Sequence, residues 1–151
     1  MKMAHNNKEI EVKFPLINYE KVINFLENNA KRIEKTKQID TYFTPVHKNF
    51  LEPEYPFQWL RIRESDKGIS INYKHFYPEN KKDTDYCDEF EAIVNSLIIK
   101  KILESLDCKK LVEVKKERIT WIYKDIEISI DKIDELGIFI ELEITTHFDD
   151  L

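Results

Sequence analysis

The stretch Lys8-Glu9-Ile10-Glu11-Val12-Lys13-Phe14 decides how this chain is read. Charged and apolar residues alternate, so an extended backbone sends Glu9, Glu11 and Lys13 to one side and Ile10, Val12 and Phe14 to the other. Period-two alternation marks a strand with one ionic and one apolar face, and it recurs in about eight segments of the chain. They are Lys8 to Phe14, Lys37 to Phe43, Gln58 to Glu64, Ile69 to His75, Asp85 to Ala92, Leu111 to Tyr123, Ile126 to Asp131 and Ile138 to Thr145. Helical spacing intervenes twice. Val22, Ile23, Phe25, Leu26, Ala30 and Ile33 predict a helix over Tyr19 to Ile33, and Leu97, Ile98, Ile102 and Leu106 predict a second over Ile93 to Leu106.

The punctuation agrees with this division. Pro15 closes the first strand, Pro45, Pro53 and Pro56 fall in a long connection, and Ser65-Asp66-Lys67-Gly68 and Tyr123-Lys124-Asp125 read as tight hairpins. Many strands joined by short turns and interrupted by two helices imply an α+β chain, mainly antiparallel β, whose sheet is closed or strongly curved. Both helices are expected to pack on the outside of that sheet.

Composition limits the function. At 151 residues the chain suits one domain, and its 42% hydrophobic and 35% charged content is that of a folded protein, not a disordered one. A formal net charge of −5 disfavours sequence-independent binding to a nucleic-acid duplex. Gly68 and Gly137 are the only glycines and lie far apart, so no glycine-rich loop brings backbone amides to a phosphate. If phosphate is bound, side chains bind it. Cys87 and Cys108 have no metal-type spacing and are expected to be reduced thiols that pack as small hydrophobes in a cytoplasmic protein. No segment is apolar for long enough to suggest membrane insertion; Leu97-Ile98-Ile99 is typical of the longest runs.

The ionic faces carry the chemistry. Glu9, Glu11 and Lys13 share a face, as do Arg61 and Arg63, Asn72 and Lys74, Glu89 and Glu91, Lys116 and Arg118, Ser129 and Asp131, and Glu141 and Glu143. For any one strand, a solvated outer face is the ordinary explanation. Repetition over so many strands favours another. If the sheet curls into a barrel with its hydrophobes outward under the helices, the charges converge in a lumen, where each must find a partner or a ligand. Clustered Arg and Lys suit phosphoryl oxygens, and clustered carboxylates suit hard divalent cations such as Mg²⁺ or Mn²⁺. Together they describe a metal-bridged polyphosphate, the arrangement that phosphoryl transfer requires.

With these residues in place, the sequence resembles the CYTH domain proteins, or triphosphate tunnel metalloenzymes, and within them the class IV adenylyl cyclase branch. The matching elements are the ExExK of Glu9, Glu11 and Lys13; Gln38 to Phe43; Leu60-Arg61-Ile62-Arg63; Tyr73-Lys74; Glu89 and Glu91; Lys116-Glu117-Arg118; Asp131; and Leu136 to Glu143. A lone ExExK is weak, but this ordered series from Glu9 to Glu143 is specific. The resemblance implies an eight-stranded closed, tunnel-like barrel in a single domain over residues 1–151, with one or two divalent ions. Glu9, Glu11, Glu141 and Glu143 would ligate metal, and Asp131 and Glu91 would complete a second metal position. Lys13, Arg61, Arg63, Lys74, Lys116 and Arg118 would bind phosphates, with Glu9, Glu11, Lys13 and Lys116 as the catalytic set.

The implied reaction is conversion of ATP to cyclic AMP and pyrophosphate. The alternatives are hydrolysis of inorganic triphosphate, thiamine triphosphate or a nucleoside triphosphate, and a non-catalytic module that binds polyphosphate or nucleotide. The full set of carboxylates favours catalysis over the module. Trp59 shares parity with Arg61 and Arg63, so it either packs at the rim or stacks on a nucleobase. Trp121, Tyr73 and Phe90 have the opposite parity and are expected beneath the helices. His5, His47, His75 and His147 are scattered and receive no metal or general-base role.

Many family members continue with a helix after the last ExE strand, whereas here Ile144 to Leu151 follow Glu143. An outer face left uncovered on this account is expected to be covered by a second copy of the chain. Size-exclusion chromatography with light scattering should then report a homodimer; a monodisperse, folded monomer is the contrary result.

Overall fold

A computed structural model describes the backbone of residues 4–147 and the side chains of residues 8–144. His5 and His147, to which no role was assigned, fall outside the described side chains. The strands are β1 (Ala4–Pro15), β2 (Lys31–Pro45), β3 (Gln58–Ser65), β4 (Gly68–Tyr77), β5 (Tyr86–Val94), β6 (Cys108–Tyr123), β7 (Ile126–Ile133) and β8 (Gly137–His147). Helix α1 (Tyr19–Asn29) links β1 to β2, and α2 (Ile99–Ser105) links β5 to β6.

The alternating pattern closes on itself. In the order β1-β5-β4-β3-β2-β6-β7-β8 the strands form a barrel, with antiparallel pairing at every seam. Closure comes from the first and last strands, where Glu11 pairs with Glu143 and Lys13 with Glu141. The two hairpins read from the sequence are both present. Gly68 has a φ of +138°, a conformation that glycine reaches without steric cost. The register of β2 against β6 shifts between Arg32 and Glu34 and again between Tyr42 and Phe43, and such irregularities bend long strands around a closed wall.

The apolar core lies between the wall and the helices. Tyr19, Val22, Ile23 and Leu26 repeat at helical spacing along α1 and pack on Trp121, Ile128, Ile130 and Ile140 of the outer wall. On another side, Ile99 and Leu103 of α2 cover Phe43 and Ile62. Trp121 is therefore beneath a helix, as its parity implied.

Both helices are shorter than their periodicity suggested. α1 stops at Asn29 because Asn28 and Asn29 turn their side-chain amides back onto the carbonyls of Asn24 and Phe25, and Lys31 then enters β2 opposite Ile122. Ile33 belongs to β2. The second helix begins at Ile99, since Ile93 and Val94 extend β5 by pairing with Ser70 and Ile69, and the Ser96 hydroxyl accepts the Ile98 amide in the turn that follows. Tyr73 and Phe90 do lie on the outer face but beneath neither helix. They stack on each other with centroids 6.0 Å apart, and Phe90 is exposed. Ile10, Val12 and Phe14 of β1 are also about half exposed, which leaves the outer face of β1 open in the single chain.

Leu26 is 1% exposed at the centre of the α1 cluster. Leu26→Ala should destabilise the protein by about 2 to 5 kcal/mol, read from the urea midpoint.

Candidate functional site

The barrel encloses a cavity of about 620 Å³ to which every strand contributes. Of the residues singled out from the sequence, Glu9, Glu11, Lys13, Arg61, Arg63, Lys74, Glu91, Lys116, Arg118, Glu141 and Glu143 all line it. Asp131 is 1% exposed and stands just behind Arg118. The ionic faces thus converge as expected, and they sort by sign.

The carboxylates gather where β5, β1 and β8 adjoin. Cross-strand register sets Glu143 opposite both Glu11 and Glu127, a row of like charges whose mutual repulsion a cation would relieve. Among the described residues, two groups bring donor atoms within 4.8 Å of one another: Glu9, Glu11 and Cys87, and Glu11, Glu141 and Glu143. The second group is all oxygen and suits a hard divalent ion, the first adds two carboxylates to a protonated thiol, and Glu11 is common to both. Burial pushes the Glu9 carboxyl up to about 10; Lys74 opposes the rise, and Glu89 and Glu143 add to it. Lys74 alone does not offset the cost of burying the charged form of Glu9. The residues present fit a metal.

Lys74 enters this acidic region from β4. Its Nζ lies 2.7 Å from Glu11 Oε2, 2.9 Å from Glu9 Oε2 and 3.7 Å from Glu89 Oε2. Burial works against the ammonium, but Glu11, Glu9 and Glu89 outweigh it and hold Lys74 well above its ordinary value. Beside it, Asn72 donates to Glu89 at 3.0 Å and to Glu91 at 3.2 Å.

The basic wall is built from β3 and β6, with two buried aspartates as anchors. Arg63 donates to both carboxylate oxygens of Asp40, at 2.7 and 2.8 Å, and Arg118 to both of Asp131, at 2.7 Å each. These bidentate contacts fix the guanidinium planes. Burial alone would raise Asp40 and Asp131, but their arginine partners hold both far below the usual carboxylate range. Lys116 lies 3.1 Å from Asp40 and 3.8 Å from Asp131, and burial with Arg118 and Arg63 alongside pushes its ammonium down to about 7. Lys13 reaches Asp131 at 3.4 Å and Glu141 at 4.0 Å, joining the two walls. Arg61 differs from its neighbours: Asp40 and Tyr42 favour its charged form, but its buried Nε has no hydrogen-bond partner among the described residues.

The structure places Asp131 with the bases, outside both donor groups. Glu91 lines the cavity next to Asn72 and likewise lies outside those groups. Among the residues in the site that the sequence did not assign are Asp40, Cys87 and Glu127. Asp40 shares the parity of Gln38 and Tyr42, Cys87 that of Glu89, and Glu127 that of Ser129, so alternation alone was enough to find them. Cys87 is not merely a small hydrophobe. It is fully buried and donates its thiol to Glu9 Oε2 at 3.5 Å. Tyr42, Trp59 and Phe76 also line the cavity, with Trp59 edge-on to Tyr42 at 5.9 Å, whereas His75 lies on the outer face against Tyr73 and Glu79.

Comparison with known proteins follows the same outline. The CYTH domain family model matches residues 7–151. A Methanocaldococcus jannaschii protein named "Putative adenylate cyclase" is 32% identical over 137 residues, covering 89% of this chain and 75% of that protein. The structure of the PH1012 protein of Pyrococcus horikoshii superposes with a TM-score of 0.74 at 25% identity, over 91% of this chain and 79% of that one. A Hippeastrum protein described as having a dominant triphosphatase activity superposes with a TM-score of 0.62, over 95% of this chain and 81% of its own; at 13% identity that likeness concerns the fold alone.

Asp40 is 0% exposed, so removing its charge strands Arg63 and Lys116. Asp40→Asn should cost about 3 to 5 kcal/mol at neutral pH, measured by urea unfolding. Because the folded pKa lies below the unfolded value of about 3.9, the contribution is complete above that pH and fades as acid protonates the carboxylate. The stability gap between wild type and variant should therefore narrow below about pH 4.

Proposed function

This chain belongs to the CYTH domain family, and from that premise we propose that it is a divalent-metal-dependent enzyme acting on a triphosphate substrate. The observation that carries the reading is Arg61. A buried guanidinium with an unpartnered Nε, beside fixed Arg63 and Arg118 and across the lumen from paired carboxylate groups, is an anion site facing a cation site. A linear triphosphate with its metal fits both.

In this proposal Arg61, Arg63, Lys116 and Arg118 take phosphoryl oxygens from one side, and Lys13 and Lys74 take them from the other. Arg63 and Arg118 arrive already oriented by Asp40 and Asp131, so little reorganisation is needed as charge develops. Glu9, Glu11, Glu141 and Glu143 would hold the metal, with Glu91 close by in the same wall. A divalent ion there neutralises phosphoryl charge and lowers the pKa of water. Asp131 serves as the anchor of Arg118.

ATP cyclisation is the finer proposal. The 3′-hydroxyl oxygen bonds to the α-phosphorus as the link to the β-phosphate breaks, releasing pyrophosphate and the hydroxyl proton. Tyr42, Trp59 and Phe76 support it, since they give the phosphate-binding cavity aromatic surface on which an adenine can stack. The name of the 32% identical relative points the same way. Hydrolysis is the second reading. Lys13 is 37% exposed within the phosphate-binding set, so water reaches the lumen, and attack on the terminal phosphorus would release orthophosphate. Free thiols at Cys87 and Cys108, with no described helix long and apolar enough to cross a membrane, fit a cytoplasmic enzyme.

Phosphorus NMR of the protein with Mg²⁺ or Mn²⁺, offered ATP and inorganic triphosphate separately, tests the proposal. Pyrophosphate with cyclic AMP identifies the cyclase, orthophosphate the hydrolase, and tight binding without turnover would overturn the enzymatic reading. Glu9→Gln and Glu143→Gln should each abolish metal-dependent turnover. Arg61→Ala should act mainly by raising KM, by about tenfold or more, as expected for a lost charged hydrogen bond.

A further inference from the structure

The acidic donor group formed by Glu9 and Glu11 already holds a cation. Lys74 Nζ lies 2.9 Å from Glu9 Oε2 and 2.7 Å from Glu11 Oε2, and the same ammonium is 3.7 Å from Glu89 Oε2. It donates a hydrogen bond to Glu11 and is 13% exposed, so these contacts are buried and poorly screened by water. A divalent ion on this group would need the oxygens that the ammonium now occupies, and two cations on one pair of carboxylates repel. Lys74 cannot simply retreat. It is anchored on a strand between β3 and β5, and at 13% exposed its ammonium is costly to leave unpaired.

From this geometry we infer that Lys74 is a resident counter-ion of the Glu9–Glu11 group and gives it up to a divalent metal only when an anionic substrate receives the ammonium. The inference rests on the triphosphate-and-metal reading of the lumen and adds an order to it. Metal alone competes with Lys74 and binds weakly. Triphosphate draws Lys74 toward its own oxygens, the carboxylates are left short of positive charge, and the metal enters. Each ligand then raises the affinity of the other by the same factor, and part of that factor belongs to Lys74. Lys74 is in this sense a positioning residue: it decides when the acidic group is available.

The test uses Mn²⁺ as metal and the bis-imido analogue of inorganic triphosphate as a hydrolysis-resistant anion. Mn²⁺ binding is followed by electron paramagnetic resonance in wild type, Lys74→Met and Lys74→Arg, each with and without the analogue. Lys74→Met should bind Mn²⁺ alone about tenfold or more tighter than wild type, and the analogue should tighten its Mn²⁺ binding less than it does in wild type. Lys74→Arg, which keeps a cation, should bind Mn²⁺ alone as weakly as wild type. Unchanged Mn²⁺ affinity in Lys74→Met, with wild type still binding both ligands, overturns this inference and leaves the functional reading intact. Failure of wild type to bind Mn²⁺ even with the analogue present overturns the functional reading itself.

A measurement on wild type alone covers the case in which Lys74→Met does not fold. In lysine-labelled protein, the Lys74 ammonium NMR signal should persist when diamagnetic Mg²⁺ is added alone and move when the analogue follows. Displacement of the signal by Mg²⁺ alone overturns the inference.

Discussion

Charge held away from water has to be answered by charge, and the rest of this structure follows from that constraint. The Asp40–Arg63 and Asp131–Arg118 pairs answer it for the basic wall with two bidentate contacts, each buried on its aspartate side. The acidic wall is arranged differently. Lys74 is shared among Glu9, Glu11 and Glu89, while Glu143 faces Glu11 and Glu127 across its two seams. A barrel that only had to be stable would be better filled with hydrophobes, because burying ion pairs seldom adds net stability. In the proposed function, a metal-bound triphosphate would bring charge of both signs to these two walls.

This lumen is affordable because stability is supplied elsewhere. The barrel is inverted relative to one with an apolar interior: Trp121, Ile128, Ile130 and Ile140 face outward beneath α1, and Phe43 and Ile62 face outward beneath α2. The interior is released from packing duty and can be given over to chemistry. The outer face of β1 has no such cover, with Ile10, Val12 and Phe14 about half exposed.

Strand parity made most of this legible in the sequence. A side chain's side of the sheet is fixed by odd or even position, and once the sheet is known to close, Arg61, Lys116 and Glu143 have to meet. Asp40 and Glu127 obey the same rule but are less conspicuous, because Asp40 stands in no i, i+2 pair of like sign and the like-signed neighbour of Glu127, Asp125, falls in a hairpin turn. Cys87 was passed over because its residue type suggested packing. The helix ends were not legible for a different reason. Ile33, Ile93 and Val94 fit a helical stripe and a strand equally well, and only strand pairing decides between them: with β4 for Ile93 and Val94, and with β6 through Arg32 and Glu34 on either side of Ile33. The partners of Lys74 were also beyond reach, since they depend on how far strands shear past one another and not on which face a residue takes.

The donor groups draw on the first and last strands of the barrel, Glu9 and Glu11 in β1 and Glu141 and Glu143 in β8. During synthesis the ribosome must deliver everything from β1 to β8 before the carboxylates of β8 can join those of β1. Until then the nascent barrel is an open sheet with two unprotected edges, and contacts so distant along the chain form slowly. The group that shares Glu11 with Glu141 and Glu143 is thus absent from every intermediate that lacks the β1–β8 seam, so half-made copies of the protein cannot sequester metal there.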